Sequence, residues 1–337
     1  MMESRAARPI VPPASFDAQR AIVCARRTVA RHELLIDRAS APAPVRGRAR
    51  LLCAALGVLA GDAGRALGAS SSRPAVTEAA ALLSLLTKVD DEVIDGRAFH
   101  GGPLRTGGHR ALRREVRSYL APTLESVRTG RAASGEARCE LAALVGRELR
   151  ALAATPDRLD RLHGVIADGW ETQVRAVDLL SRHPAESSMA EVAHVTASIS
   201  GDWLLMITMV GGLPGDAHRE FSDAEEGAFA PWGWHIQRAD ALADFVKDAA
   251  EGLTNSWAGR MCFERWGEAY LRALLRRDLQ TLDSMLDACA PTCLAEPSAL
   301  RDGARALETL GDVPTALTWI QAMLVGRWRS RRAQEVG

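Results

Sequence analysis

Apolar residues recur along this chain at three- and four-residue intervals, the period of an amphipathic α-helix. The pattern predicts helices over 16–37, 48–67, 76–95, 110–129, 135–154, 156–181, 187–212, 222–251, 259–276, 278–289, 297–310 and 313–331. Runs of β-branched residues with period two are missing, so no strand is predicted. Ala, Leu, Arg and Glu, all good helix formers, dominate the periodic stretches. Breaks fall at APAPVRG (41–47), at GASSSRP after the second helix, and at the Gly-rich RAFHGGPLRTGGH (97–109). Residues 1–14, with Pro9, Pro12 and Pro13, read as a disordered lead-in. No long linker or fixed-period repeat divides the remainder. The expectation is therefore all-α: one domain over 15–332, a bundle of about a dozen helices around a central apolar cavity.

Composition narrows the partners. Of 337 residues, 47% are hydrophobic, enough for a large core. The 42 basic and 42 acidic residues cancel, which argues against a nucleic-acid partner held by bulk electrostatics. The longest uncharged apolar runs, at 51–61 and 203–213, fall short of the roughly 20 residues that cross a bilayer. The N-terminus lacks the apolar core of a signal peptide. No transmembrane segment and a cytoplasmic location are expected. Cys24, Cys53, Cys139, Cys262, Cys289 and Cys293 are scattered, and no His follows the last pair at zinc-site spacing. They read as small core residues in a reducing compartment.

The candidate chemistry lies in two acidic clusters. In WHIQRADALADFVKDAAEGLTN, Asp240, Asp244 and Asp248 are four residues apart, which stacks them on one helical face. Three like charges in a row repel each other unless a cation fills the gap, and a hard divalent metal with oxygen ligands suits the task. A solvated acidic stripe, neutralised in part by Arg238 and Lys247, is the plainer alternative. Upstream, LLSLLTKVDDEVIDG carries Asp91 and Asp95, again four apart, beside Asp90 and Glu92. The pattern puts this cluster at the C-terminal end of its helix, where the dipole disfavours anions, with Gly96 as a stop. Two such carboxylate sets facing each other could hold magnesium ions around a diphosphate, since Mg²⁺ favours a few carboxylates plus phosphate oxygens.

Other residues join the list more weakly. The Gly-rich loop holds Arg97, His100, Arg105, His109 and Arg110, which could wrap a diphosphate or form an ordinary surface loop. Gly201 falls mid-helix among Ala197, Ser198 and Ser200; such a glycine marks a bend or a close backbone approach. Eight Trp against two Tyr is unusual, and Trp203, Trp232, Trp234 and Trp257 gather near these segments. Indole faces stabilise cations, although core packing is the commoner use.

An all-α chain with a DxxxD on one helix and DxxxDxxxD far downstream resembles the class I isoprenoid synthases, in particular their squalene/phytoene synthase-like branch. It is most similar to bacterial tetraprenyl-β-curcumene synthase-like terpene synthases. The match lies in DEVID at Asp91 and Asp95, and in Pro231, Trp232 and His235 ahead of Asp240, Asp244 and Asp248, with Asn255 behind them. Ala249 stands where that family keeps a basic residue, Arg97 is displaced one place by Gly96, and Asp90 is an extra acid. The resemblance implies Mg²⁺ held by Asp91, Asp95, Asp240, Asp244 and Asp248 around a prenyl diphosphate. It implies substrate contacts from Arg97, Arg105, Arg238, Lys247, Asn255, Gly201, Trp203 and Trp234. Three activities follow as expectations: a terpene cyclase first, a head-to-head prenyltransferase of squalene/phytoene type second, and a non-catalytic helical protein third. A homodimer is one open oligomeric state.

Overall fold

In the computed structural model, the described residues are 18–41, 45, 47–64, 73–99, 109–214, 221–251 and 256–293. Eleven α-helices lie among them, with no strand: α1 Ala18–Ala39, α2 Gly47–Gly64, α3 Arg73–Phe99, α4 His109–Thr129, α5 Ala137–Leu152, α6 Pro156–Ser181, α7 Met189–Gly212, α8 Asp223–Glu251, α9 Ser256–Trp266, α10 Glu268–Arg276 and α11 Leu279–Cys293. A 3₁₀ turn, Pro184–Glu186, precedes α7. The lead-in 1–14 and the helices expected at 297–310 and 313–331 lie outside the described residues.

Capping chemistry sets several starts. Thr155 accepts from the Arg158 N–H, with Pro156 at the first helical position, so α6 begins where its sequence says it should. Ser188 caps α7 through the Glu191 N–H. Ser222 and Glu225 form a reciprocal capping box at α8: Ser222 N–H donates to Glu225 Oε2 at 2.9 Å, and Glu225 N–H donates to Ser222 Oγ at 3.3 Å.

Two expected boundaries are corrected. The stretch 259–276 is not one helix; Gly267, at φ 50°, separates α9 from α10. Conversely, Gly96 does not stop α3, which continues to Phe99 and takes Arg97 out of the expected loop. A lone glycine costs a helix about 1 kcal/mol, which is small beside the packing that holds α3. Leu82, Leu83, Leu86 and Val89 are fully buried on successive faces of that helix, as in a bundle's central member. Asp91 therefore sits two turns inside α3, beyond the last-turn reach of the helix dipole.

The helices enclose two apolar clusters. The larger is built by α1–α7 and the first half of α8, including Phe229, Trp232 and Ile236. The smaller gathers α9–α11 onto Ala241, Leu242 and Phe245 of α8 and Val192 and Val195 of α7. α7 is long and apolar enough to cross a membrane by length and composition, but most of that window is buried within the bundle.

Candidate active site

Lys88, Asp91 and Glu92 stand at i, i+3 and i+4 on α3 and so share a face. The Lys88 ammonium lies 2.7 Å from Asp91 Oδ2 and 2.9 Å from Glu92 Oε1. From α6, Gln173 Nε2 donates to Asp91 Oδ1 at 3.0 Å. All four side chains are half-buried. Burial works against the ammonium, but Asp91 and then Glu92 outweigh it and hold Lys88 well above the usual lysine value.

Asp240, the first carboxylate of the second motif, is felt at Cys53 of α2. Burial pushes the Cys53 thiol up to about 11; Lys88 pulls it down, while Asp91, Asp240 and Glu92 push it further up. Asp91 of α3 and Asp240 of α8 thus act on one thiol and lie in one electrostatic neighbourhood. α2 is seated tightly on α3. A Cβ added at Gly57 would come within 2.6 Å of the Ala80 carbonyl oxygen, and Ser84 Oγ donates to the Cys53 carbonyl at 2.7 Å.

α7 positions α8, and the two share the most extensive contact among the described helices. Their backbones cross at Gly201 and Gly233. A Cβ at Gly233 would meet Gly201 N at 2.1 Å and Ala197 O at 2.5 Å. Beside the crossing, Ser200 Oγ donates to Gln237 Oε1 at 2.6 Å. α7 runs unbroken through Gly201, so of the two roles expected of that glycine the structure displays the close approach. The crossing fixes the rotation of α8, and with it the position of Asp240 one turn beyond Gln237.

Neighbouring acids take other roles. Asp90 is 1% exposed and turns away from Asp91, toward Tyr119, Trp170 and Arg138. Burial pushes it up to about 7, while Arg138, Tyr119 and Trp170 oppose this. Tyr119 and Trp170 come close enough to lower its pKa, yet neither carboxylate oxygen has a hydrogen bond of good geometry. Asp202 accepts from Thr172 Oγ1 at 2.8 Å and faces α6; burial raises its pKa against that bond.

The remaining candidates are placed as follows. Arg238 is buried, its guanidinium 5.5 Å from the ring centres of both Trp234 and Trp257. Those two indoles meet edge to face at 4.3 Å. Trp203 is half-buried against the larger core. Asp95 and Arg97 belong to α3, and Asp244, Lys247 and Asp248 to α8, but their side chains lie outside the described residues, as do Arg105 and Asn255 entirely. Among the described residues no three His, Cys, Asp or Glu side chains form a metal-ligand group. Cys24, Cys53, Cys139, Cys262 and Cys289 are free thiols, the last three buried and the first two partly so.

Sequence reasoning missed Lys88, Gln173 and Cys53. Lys88 was detectable from its i, i+3 relation to Asp91; the other two come from helices with no motif of their own. The acids present are of the kind a hard cation takes. Asp91 and Glu92 already close on a positive charge, the Lys88 ammonium. Carboxylate oxygens are the donors Mg²⁺ takes.

No protein-family model and no curated protein sequence matches the chain. Among solved structures, it is similar to polyprenyl synthase from Caulobacter crescentus CB15, crystallised with calcium and isoprenyl diphosphate. The TM-score is 0.50 at 16% identity, covering 93% of this chain and 99% of that one. The likeness is one of fold: this chain has the all-α, isoprenoid-synthase-like architecture.

Proposed function

We propose that the chain is a Mg²⁺-dependent isoprenoid synthase acting on prenyl diphosphates. What supports this reading is that Asp91 and Asp240, from two separate acidic motifs, both act electrostatically on the Cys53 thiol of α2. Asp91, Asp95, Asp240, Asp244 and Asp248 would hold the metal. Bound Mg²⁺ would supply charge neutralisation for a departing diphosphate.

The chain's own groups do the rest. Gln173 orients Asp91 by donating to Oδ1, leaving Oδ2 toward the cation. Lys88 brings a permanent positive charge to the place where diphosphate charge would develop. Arg97, Arg105, Lys247 and Asn255 are proposed as further diphosphate contacts. Gly201 lets α7 and α8 approach, and Trp203 is proposed to line the apolar part of the site. Trp234 and Arg238 already engage each other, so their proposed contribution is to hold the α8–α9 wall next to the substrate.

Prenyl coupling, in which one allylic diphosphate ionises and its carbon joins a second prenyl unit, is the first reading. It is supported by the fold's likeness to a synthase crystallised with isoprenyl diphosphate. Cyclisation of a single prenyl diphosphate is the second, favoured by Pro231, Trp232 and His235 ahead of the Asp240 motif. An aqueous, cytoplasmic setting belongs to the proposal.

The test is incubation with prenyl diphosphates of increasing length, singly and in pairs, with Mg²⁺, followed by mass spectrometry. Coupling yields a product carrying the carbons of two substrates, whereas cyclisation keeps those of one. Asp91→Asn should abolish both while leaving helical circular dichroism unchanged. Full turnover by that variant, or no product from any substrate, would overturn the reading.

A further inference from the structure

The cation already seated on the first motif is the chain's own. Lys88 is half-buried, its ammonium within 2.9 Å of one oxygen each from Asp91 and Glu92. Its i, i+3 and i, i+4 spacing means that no loop or domain motion is needed to form this contact. A divalent ion bound at Asp91 would meet an Oδ1 that already accepts from Gln173 and an Oδ2 that already carries the ammonium. Two positive centres cannot share that oxygen without strong repulsion.

We propose that Lys88 is a resident counter-cation of the Asp91 centre: it holds Asp91 and Glu92 in place while the site is metal-free, and metal can enter only by displacing it. The displaced ammonium, on a flexible four-carbon stem, is then offered to the anion that arrives with the metal. Metal alone is a poor ligand, because Lys88 opposes it. Metal with diphosphate is a good one, because the anion takes Lys88 as its partner. The device would keep the site from loading with metal in the absence of substrate. This inference rests on the reading of Asp91 as a metal ligand.

The experiment measures Mn²⁺ binding to the full chain by the loss of the free-ion paramagnetic resonance signal, without and with inorganic pyrophosphate. Wild type, Lys88→Gln, Lys88→Arg and Asp91→Asn are compared, each first checked for native helical content. Lys88→Gln should bind Mn²⁺ alone about tenfold tighter or more, the effect of removing one unit charge a few ångströms from a divalent ion. It should also lose most of the enhancement that pyrophosphate gives the wild type. Lys88→Arg, which keeps the charge, should stay close to wild type without pyrophosphate. Unchanged or weaker Mn²⁺ binding in Lys88→Gln overturns the inference, as does an Lys88→Arg that behaves like the glutamine variant. Asp91→Asn separates the two levels. If wild-type binding is strong and Asp91→Asn leaves it intact, the metal reading itself fails. If Asp91→Asn abolishes binding and Lys88→Gln leaves it unchanged, only the role of Lys88 fails.

Discussion

Gly233→Ala probes the contact on which the geometry of α8 depends. The added methyl would sit 2.1 Å from Gly201 N, 2.5 Å from Ala197 O and 2.6 Å from Gly201 Cα, whereas ordinary contact begins at 3.4 Å. It therefore needs more than an ångström of extra clearance, and all three opposing atoms are backbone. No rotamer change can supply it; α7 and α8 must separate or rotate. Overpacking of this kind typically costs 1–3 kcal/mol, and the upper end applies where two backbones must part. Alanine's better helix propensity returns about 1 kcal/mol. The net expectation is a loss of about 2 kcal/mol and a melting temperature lower by a few degrees.

The matched control is Gly164→Ala, mid-helix in α6, where nothing lies within 4 Å of the new Cβ. There only the propensity term acts, and stability should rise by about 0.5–1 kcal/mol. Urea denaturation followed by circular dichroism reads both. Because Gly233 and Asp240 are two turns apart on one helix, Gly233→Ala should also weaken Mn²⁺ binding, while Gly164→Ala should not. The reasoning is refuted if the two variants shift stability in the same direction, or if Gly233→Ala loses stability yet binds metal as well as the wild type.

Two further perturbations test the framework around the site. Asp90 titrates near 7 in the folded chain, against 3.8 for an ordinary Asp. Between those values the folded chain holds a proton that the unfolded chain releases, so this residue's contribution to stability falls as pH rises from about 4 to about 7. Asp90→Asn should remove that slope, gaining about 4 kcal/mol at most above pH 7 and little at pH 4; equal effects at both pH values in urea titrations would contradict it. Asp178, 2% exposed, pairs with Arg113 of α4 at 2.5 Å and with Arg182, which also reaches Glu191 of α7. Asp178→Ala takes the shared carboxylate from two arginines that still reach solvent, Arg182 keeping Glu191, and should cost about 1–3 kcal/mol, checked by the same denaturation.

Two glycines mark the limit of what local sequence records. Gly96 and Gly267 carry the same local signal, yet only Gly267 breaks a helix. Local propensity is worth about 1 kcal/mol at such a position, so tertiary packing decides, and packing is not visible in a window of ten residues. Where a cap and a proline act together, as at Thr155 and Pro156, the start of α6 is legible to the residue. The placement of Asp240, Asp244 and Asp248 on one helix was likewise legible, because spacing alone determines it. That Gln173 should reach Asp91 was not: it depends on how α6 lies against α3, and nothing in either segment records the other.

The location of the site follows from the two cores. Ile236 belongs to the larger apolar cluster and Ala241 to the smaller, so Gln237 and Asp240 fall where α8 passes from one to the other. On α7 the same passage lies between Val195 and Leu204, and it holds Ser200, Gly201 and Asp202. A carboxylate or an amide is costly inside a continuous apolar core. At a seam between two cores it displaces no apolar packing and finds polar partners on the neighbouring helix, as Ser200 does with Gln237. The glycine crossing at this same level brings the seam's polar groups within reach of each other across the two helices. The interruption of α7's apolar sequence by Ser200-Gly201-Asp202 is thus the sequence trace of the seam, and filling it with larger apolar residues should join the two cores at the expense of Asp240's position.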